Sequence, residues 1–144
     1  MSDIYNLHRF LTAQAPTYNT VLTELRAGRK SSHWIWFIFP QIAGLGHSAM
    51  AQQFAIGSLD EAKTYLQHPL LGQRLRECIQ LVLDVNGRSA DEIFGYPDNL
   101  KFRSCMTLFL TAATDNTLFK SALDKYFDGQ PDQLTLDILA QQSR

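Results

Sequence analysis

What this 144-residue chain lacks sets the first bounds. It has two cysteines, Cys78 and Cys105, too few for a disulfide framework and without the paired spacing of a zinc site. Neither sign of charge dominates. Thirteen Lys+Arg against 14 Asp+Glu leave a net charge of −1, so the clustered basic excess of a nonspecific nucleic-acid binder is missing. Long apolar runs are missing too: the longest of note, Trp34 to Phe39, is far short of the ~20 residues that span a bilayer. The opening Ser2-Asp-Ile-Tyr-Asn6 has no basic stretch leading into an apolar one and does not read as a signal peptide. A cytoplasmic chain with no membrane or nucleic-acid partner is the expectation.

Aromatic residues, by contrast, are plentiful. Two Trp, five Tyr and nine Phe, in a chain that is 45% hydrophobic, supply enough surface for a buried core and argue against disorder. At this length one domain covering 1–144 is expected. Helix punctuation recurs from end to end. Ile4, Leu7, Phe10 and Leu11 follow helical spacing up to Pro16, and Tyr18, Val21, Leu22 and Leu25 repeat it up to Gly28. Ser58-Leu-Asp-Glu61 and Ser89-Ala-Asp-Glu92 have the form of capping boxes. Pro69 suits the start of a helix carrying Leu71, Leu75, Cys78, Ile79 and Val82, with Asn86-Gly87 as its stop. Asp98 can cap a long helix to about Thr114, Leu118 to Phe127 forms another stripe ended by Gly129, and Asp132 caps a last one. No strand alternation or hairpin signal competes. The run from Trp34 to Phe39 fits a buried strand or a short buried helix, and Ser31 or Ser32 as cap with Pro40 as stop favours the helix. The fold expected is all-α, one domain of seven to nine helices, with an irregular segment around residues 40–48.

Chemistry is best sought where the composition departs from the average. From Ser31 to Leu59 there is no Asp, Glu, Lys or Arg, although the chain as a whole is 19% charged. The segment follows Lys30, passes through His33, Trp34 and Trp36, and turns through Gln41, Gly44 and Gly46. Aromatic runs of this kind usually fill a core. The functional alternative makes Trp34 or Trp36 one wall of a pocket for a planar ring, with Lys30 or His33 holding phosphate and the two glycines letting backbone approach the ligand. A second cluster lies at Asp98, Lys101, Ser104 and Thr107, which helical spacing places along one side of the long helix. Its plain reading is a cap, a solvated lysine and two hydroxyls bonded back to their own helix. Its functional reading is a rim in which Asp98 polarises water while Lys101 and Ser104 hold a polar ligand. His8, His33, His47 and His68 show no metal spacing, so no metal is expected, and nothing in the sequence asks for a cofactor.

The segment Gly28-Arg-Lys-Ser-Ser-His-Trp-Ile-Trp-Phe-Ile-Phe-Pro-Gln41 with Gly44-Leu-Gly46 resembles the signature of a bacterial helical domain family of unknown function, whose members are sometimes labelled calpastatin. The likeness continues through Glu61-Ala62, Tyr65-Leu66, His68 to Gly72, Phe94-Gly95, Asp98, Lys101, Ser104 and Met106 to Phe109, and ends at Phe127, Gly129, Asp132 and Thr135-Leu136. It implies a mainly helical domain and no established activity. A calpastatin-type inhibitor is a long disordered polar chain, which this aromatic-rich sequence is not. More remotely, the chain is similar to the NADAR-type N-glycosidases, small helical enzymes acting on riboflavin-pathway intermediates or ADP-ribosylated groups. That similarity implies a reaction class and transfers no residue. Cleaving an N-glycosidic bond builds oxocarbenium character, for which Asp98 or Glu61 is the candidate carboxylate. The expectation is a small nucleotide- or nucleoside-handling enzyme of N-glycosidase type. The alternative is a non-catalytic protein-interaction module with an exposed aromatic face.

Overall fold

The computed structural model describes residues 2–143, and among them every regular element is a helix. In chain order these are α1 (His8–Gln14), α2 (Tyr18–Arg26), α3 (Ile35–Ile38), α4 (Ala49–Gln53), α5 (Leu59–Gln67), α6 (Leu71–Leu83), α7 (Ala90–Phe94), α8 (Asp98–Ala112), α9 (Thr117–Phe127) and α10 (Gln133–Gln142). The all-α expectation holds. Ten helices stand where seven to nine were expected, and the unforeseen one is α4, a single turn capped by Ser48, whose hydroxyl accepts from the Ala51 amide at 3.1 Å. Its AMAQQ sequence carries no apolar stripe that would announce it.

Local signals explain most boundaries. Ser89 makes a complete capping box with Glu92, and Asp132 accepts from the Thr135 amide at 3.1 Å to open α10. Gly28 at φ +72° closes α2, and Gly129 at φ +74° closes α9, its amide reaching back to the Leu123 carbonyl. Two expectations need correction. Neither Ser31 nor Ser32 caps α3: Trp34 occupies the N-cap position without a side-chain cap, and the Ser32 hydroxyl donates to Glu24 instead. Asp98 is not a cap either. It is the first residue of α8, behind Pro97, and its carboxylate turns to lysines.

α8 forms the axis of the fold. It is buried nearly all round, with Phe102, Cys105, Met106, Leu108 and Phe109 fully enclosed, and it packs against α3, α5, α7, α9 and α10. The run from Trp34 to Phe39 crosses its N-terminal half. Phe39 meets Phe102 and Phe94 edge-on at centroid distances of 4.9 and 5.8 Å, while Phe94 stacks on Phe102 at 4.7 Å. The expected irregular stretch after Pro40 is pinned by one parallel bridge between Ile42 and Ile56, with the Ala43 amide donating to the Ile56 carbonyl at 2.8 Å.

Candidate functional site

Above this aromatic core, the α2–α3 loop and the start of α8 come together. Glu24 organises the loop from below. Its carboxylate, only 8% exposed, accepts from the amides of Ser31 and Ser32 at 2.7 and 2.9 Å, from the Ser32 hydroxyl at 2.5 Å and from the Trp34 indole at 2.9 Å. Burial alone would raise the Glu24 carboxyl, but these donors outweigh it and bring it down to about 2. The next loop tie is the Lys30 amide, which donates to the Ile93 carbonyl at 2.7 Å and fastens the loop to α7.

So held, the Lys30 side chain reaches Asp98, with Nζ 2.7 Å from Oδ2. Lys101, one helical turn further along α8, approaches the other oxygen at 3.4 Å. Each ammonium also lies over an indole: Lys30 over Trp34 and Lys101 over Trp36, both at 5.2 Å from the ring centroid. One carboxylate thus faces two cations, which leaves a unit of positive charge, and the first turn of α8 adds its own partial positive end. Lys30 is enclosed, with 6% of its side chain exposed, whereas Lys101 is more open at 25%.

Beside Lys101 lies a notch of about 10 Å³ lined by Trp36, Gln41, Phe39 and Phe54, room for one water-sized group. The Trp36 Nε1 is buried and finds no hydrogen-bond partner among the described residues. The Asn99 Oδ1, next to Asp98 in sequence, is in the same condition. Buried polar atoms left unpaired are rare and mark where a ligand or water is wanted.

Of the residues singled out in the sequence, Lys30, Trp34, Trp36, Asp98 and Lys101 converge, and Gln41 lines the notch beside them. Gly46 sits behind it: a Cβ there would come within 2.6 Å of the Ala51 Cβ, so the glycine lets the 40–48 turn close down on α4. Gly44, at φ +105°, faces Ile138 of α10, and His33 is exposed at the loop edge. Trp34 does not present a stacking wall, since it is fully buried, bonded to Glu24 and covered by Lys30. Ser104 and Thr107 serve another contact. The Ser104 hydroxyl lies 3.2 Å from Asp132 Oδ2, and Thr107 accepts from the Asp132 amide at 2.8 Å, which ties α10 to α8. Glu61 belongs to a different cluster. Its oxygens take the Arg9 guanidinium at 2.9 Å and the Gly57 amide at 3.0 Å, joining α1 to α5.

Sequence reading missed Glu24 and Asn99. Glu24 carried a usable signal, because a carboxylate at the i+3 position from Val21 and next to Leu25 lies on the buried stripe of α2 and must find donors there. Asn99 carried none. Among the described residues no three His, Cys, Asp or Glu side chains gather as metal ligands would, and no helix is long and apolar enough to cross a membrane.

Residues 4–139 match the model of a family described as DUF1810, a protein family of unknown function. The chain belongs to the DUF1810 family. A solved structure agrees: the conserved hypothetical protein Rv1873 from Mycobacterium tuberculosis is 54% identical, with a TM-score of 0.95 over 96% of this chain and 99% of that one. No curated protein matches the chain. The DUF1810 match supplies the family that the Gly28–Gln41 signature pointed to. Neither it nor the mycobacterial relative carries the calpastatin label or a link to NADAR-type enzymes.

Proposed function

We propose that this DUF1810 chain binds a small nucleotide- or nucleoside-like anion over Trp36, Gln41 and Lys101, and hydrolyses its ribosyl N-glycosidic bond. The observation that carries the reading is the unpaired, buried Nε1 of Trp36, whose ring lies under the Lys101 ammonium that also reaches Asp98. The notch admits one oxygen of a ligand as acceptor for the indole N–H. The sugar and base then lie over the open side of Lys101, and the surplus positive charge favours an anion.

In the bond-breaking step the C–N electron pair leaves with the base nitrogen, and a water oxygen bonds to the anomeric carbon. One water proton passes to the departing base, directly or through solvent. Asp98 supplies negative charge close to the cationic sugar. Lys101, farther from Asp98 than Lys30, is the cation that turns to the ligand phosphate; Lys30 holds the carboxylate in place.

The test is a thermal-shift and turnover screen with AMP, ADP-ribose, ribonucleosides and riboflavin-pathway intermediates. Ligand at 100 times its dissociation constant adds about 2.7 kcal/mol to stability, a rise of several degrees for a domain this size. The expected hit loses binding in Trp36→Phe and Lys101→Gln. It loses turnover but not binding in Asp98→Asn, with circular dichroism verifying the fold. A flat panel rejects the proposal.

A second reading, a non-catalytic interaction module, draws on Tyr96 and Leu100, which flank Asp98 and are 77% and 42% exposed. It predicts a partner whose binding is lost in Tyr96→Ser while the small-molecule panel stays flat.

A further inference from the structure

A second cavity lies away from the lysine–aspartate site and is unused by the proposed chemistry. It is a cleft of about 450 Å³ between the C-terminal end of α5, α6, and the α8–α9 connection. That volume falls within the range of small-molecule sites. Its floor is apolar, with Leu66, Ala112 and Phe119 all buried. Its rim carries two cations, Lys63 from α5 and Arg76 from α6, and one carboxylate, Asp115.

Arg76 is set in place by packing. An ideal Cβ at Gly72 would fall 2.1 Å from the Leu66 carbonyl oxygen and 2.8 Å from the Arg76 Nη1. Only a glycine there lets α6 start so close beneath α5, and the same opening lets Arg76 donate to the Leu66 carbonyl at 3.3 Å. The guanidinium is thereby held on the cleft wall with donors to spare. Asp115 is engaged by the Thr117 hydroxyl and amide at 2.8 and 3.1 Å, and these bonds, with a smaller pull from the Arg76 charge, hold its carboxyl below the usual carboxylate range. Two cations against one carboxylate leave a single positive charge above an apolar floor.

We propose that this cleft is a second binding site, for a small organic monoanion: a carboxylate on a short acyl or aryl body. The body lies on Leu66, Ala112 and Phe119, and the carboxylate takes Arg76 and Lys63. The single net charge of the rim favours a monoanion over a diphosphate. This site is independent of the function proposed above and shares none of its residues.

Titration calorimetry with octanoate on the whole chain tests it, with octan-1-ol as the neutral control of equal length. Saturable binding is expected, about tenfold weaker in Lys63→Gln or Arg76→Gln, each tenfold step being one charged contact, and about a hundredfold weaker for octan-1-ol, which loses both. Lys63 is exposed, so its substitution leaves the fold intact and serves as the decisive variant. Ala113→Phe, which fills the cleft from the α8–α9 connection, should abolish binding altogether. The proposal is overturned if octanoate does not bind at millimolar concentration, if octan-1-ol binds as well, or if Lys63→Gln and Ala113→Phe bind as the parent does.

Discussion

Lys30 and Asp98, 68 positions apart in sequence, form an ion pair of 2.7 Å at the junction of the α2–α3 loop and α8, with the lysine side chain enclosed. The pair closes the top of the aromatic core, and its lysine rests on the face of Trp34. An enclosed charge that loses its partner is costly, whereas an exposed one is not. Asp98→Asn should therefore destabilise the fold by about 3 kcal/mol. Lys101→Gln, which removes the longer and more open contact, should cost less than about 1 kcal/mol. Denaturant titrations of the two variants decide it, and equal effects would contradict the assignment of Lys30 as the structural partner.

Glu24 gives a pH dependence with a definite sign. Its carboxyl is depressed from 4.5 to about 2 in the folded chain. The stability it contributes is fully present above the unfolded value and drains away as pH falls through the folded one. The difference amounts to about 3 kcal/mol at neutral pH. Between parent and Glu24→Gln, the gap in unfolding free energy should stay constant above about pH 5 and shrink towards pH 2. A gap that does not change across that window contradicts the bonding described for the Ser31–Trp34 loop.

The two indoles should respond differently to a quencher. Trp34 is fully buried and Trp36 half-buried, so acrylamide should quench a single accessible component. Trp34→Phe should abolish the protected component and, by stripping a donor from Glu24, lower stability by about 1–3 kcal/mol. Trp36→Phe removes an N–H that has no protein partner and should cost less.

Both cysteines are buried, and burial pushes the Cys78 thiol up to about 12 and the Cys105 thiol well above its usual range. Neither should react with a thiol reagent in the native protein at neutral pH, and both should react after unfolding. Rapid native labelling of Cys105 would show that α8 opens far more readily than its packing indicates.

Two glycines separate steric from conformational cost. Gly72→Ala drives a Cβ into the Leu66 carbonyl and should lose more than about 2 kcal/mol. Gly87→Ala meets no atom within 4 Å and pays only for its φ of +71°, about 1 kcal/mol. Thermal midpoints of the two variants, measured side by side, should differ by several degrees.

The sequence by itself determined most of the helices and their ends, α4 and the caps of α3 and α8 excepted, because these depend on neighbours within a turn or two. Ser58, Ser89 and Asp132 cap where their hydroxyl or carboxylate meets the next free amides, and Gly28 and Gly129 stop helices because positive φ suits them. The signature from Gly28 to Gln41 was likewise legible as a family mark and as an aromatic core element. What only the tertiary structure decided is which polar groups meet. Helical spacing put Asp98, Lys101, Ser104 and Thr107 in one series, yet the first pair turns to Lys30 and Trp36 while the second turns to Asp132. A helix rotates about 100° per residue, so a series of three-residue steps drifts round the axis, and the neighbours met along the way come from distant segments. The roles of Glu24 and Glu61 followed the same rule. Their partners, Trp34 ten residues on and Arg9 fifty-two residues back, are brought to them by packing that no local pattern encodes.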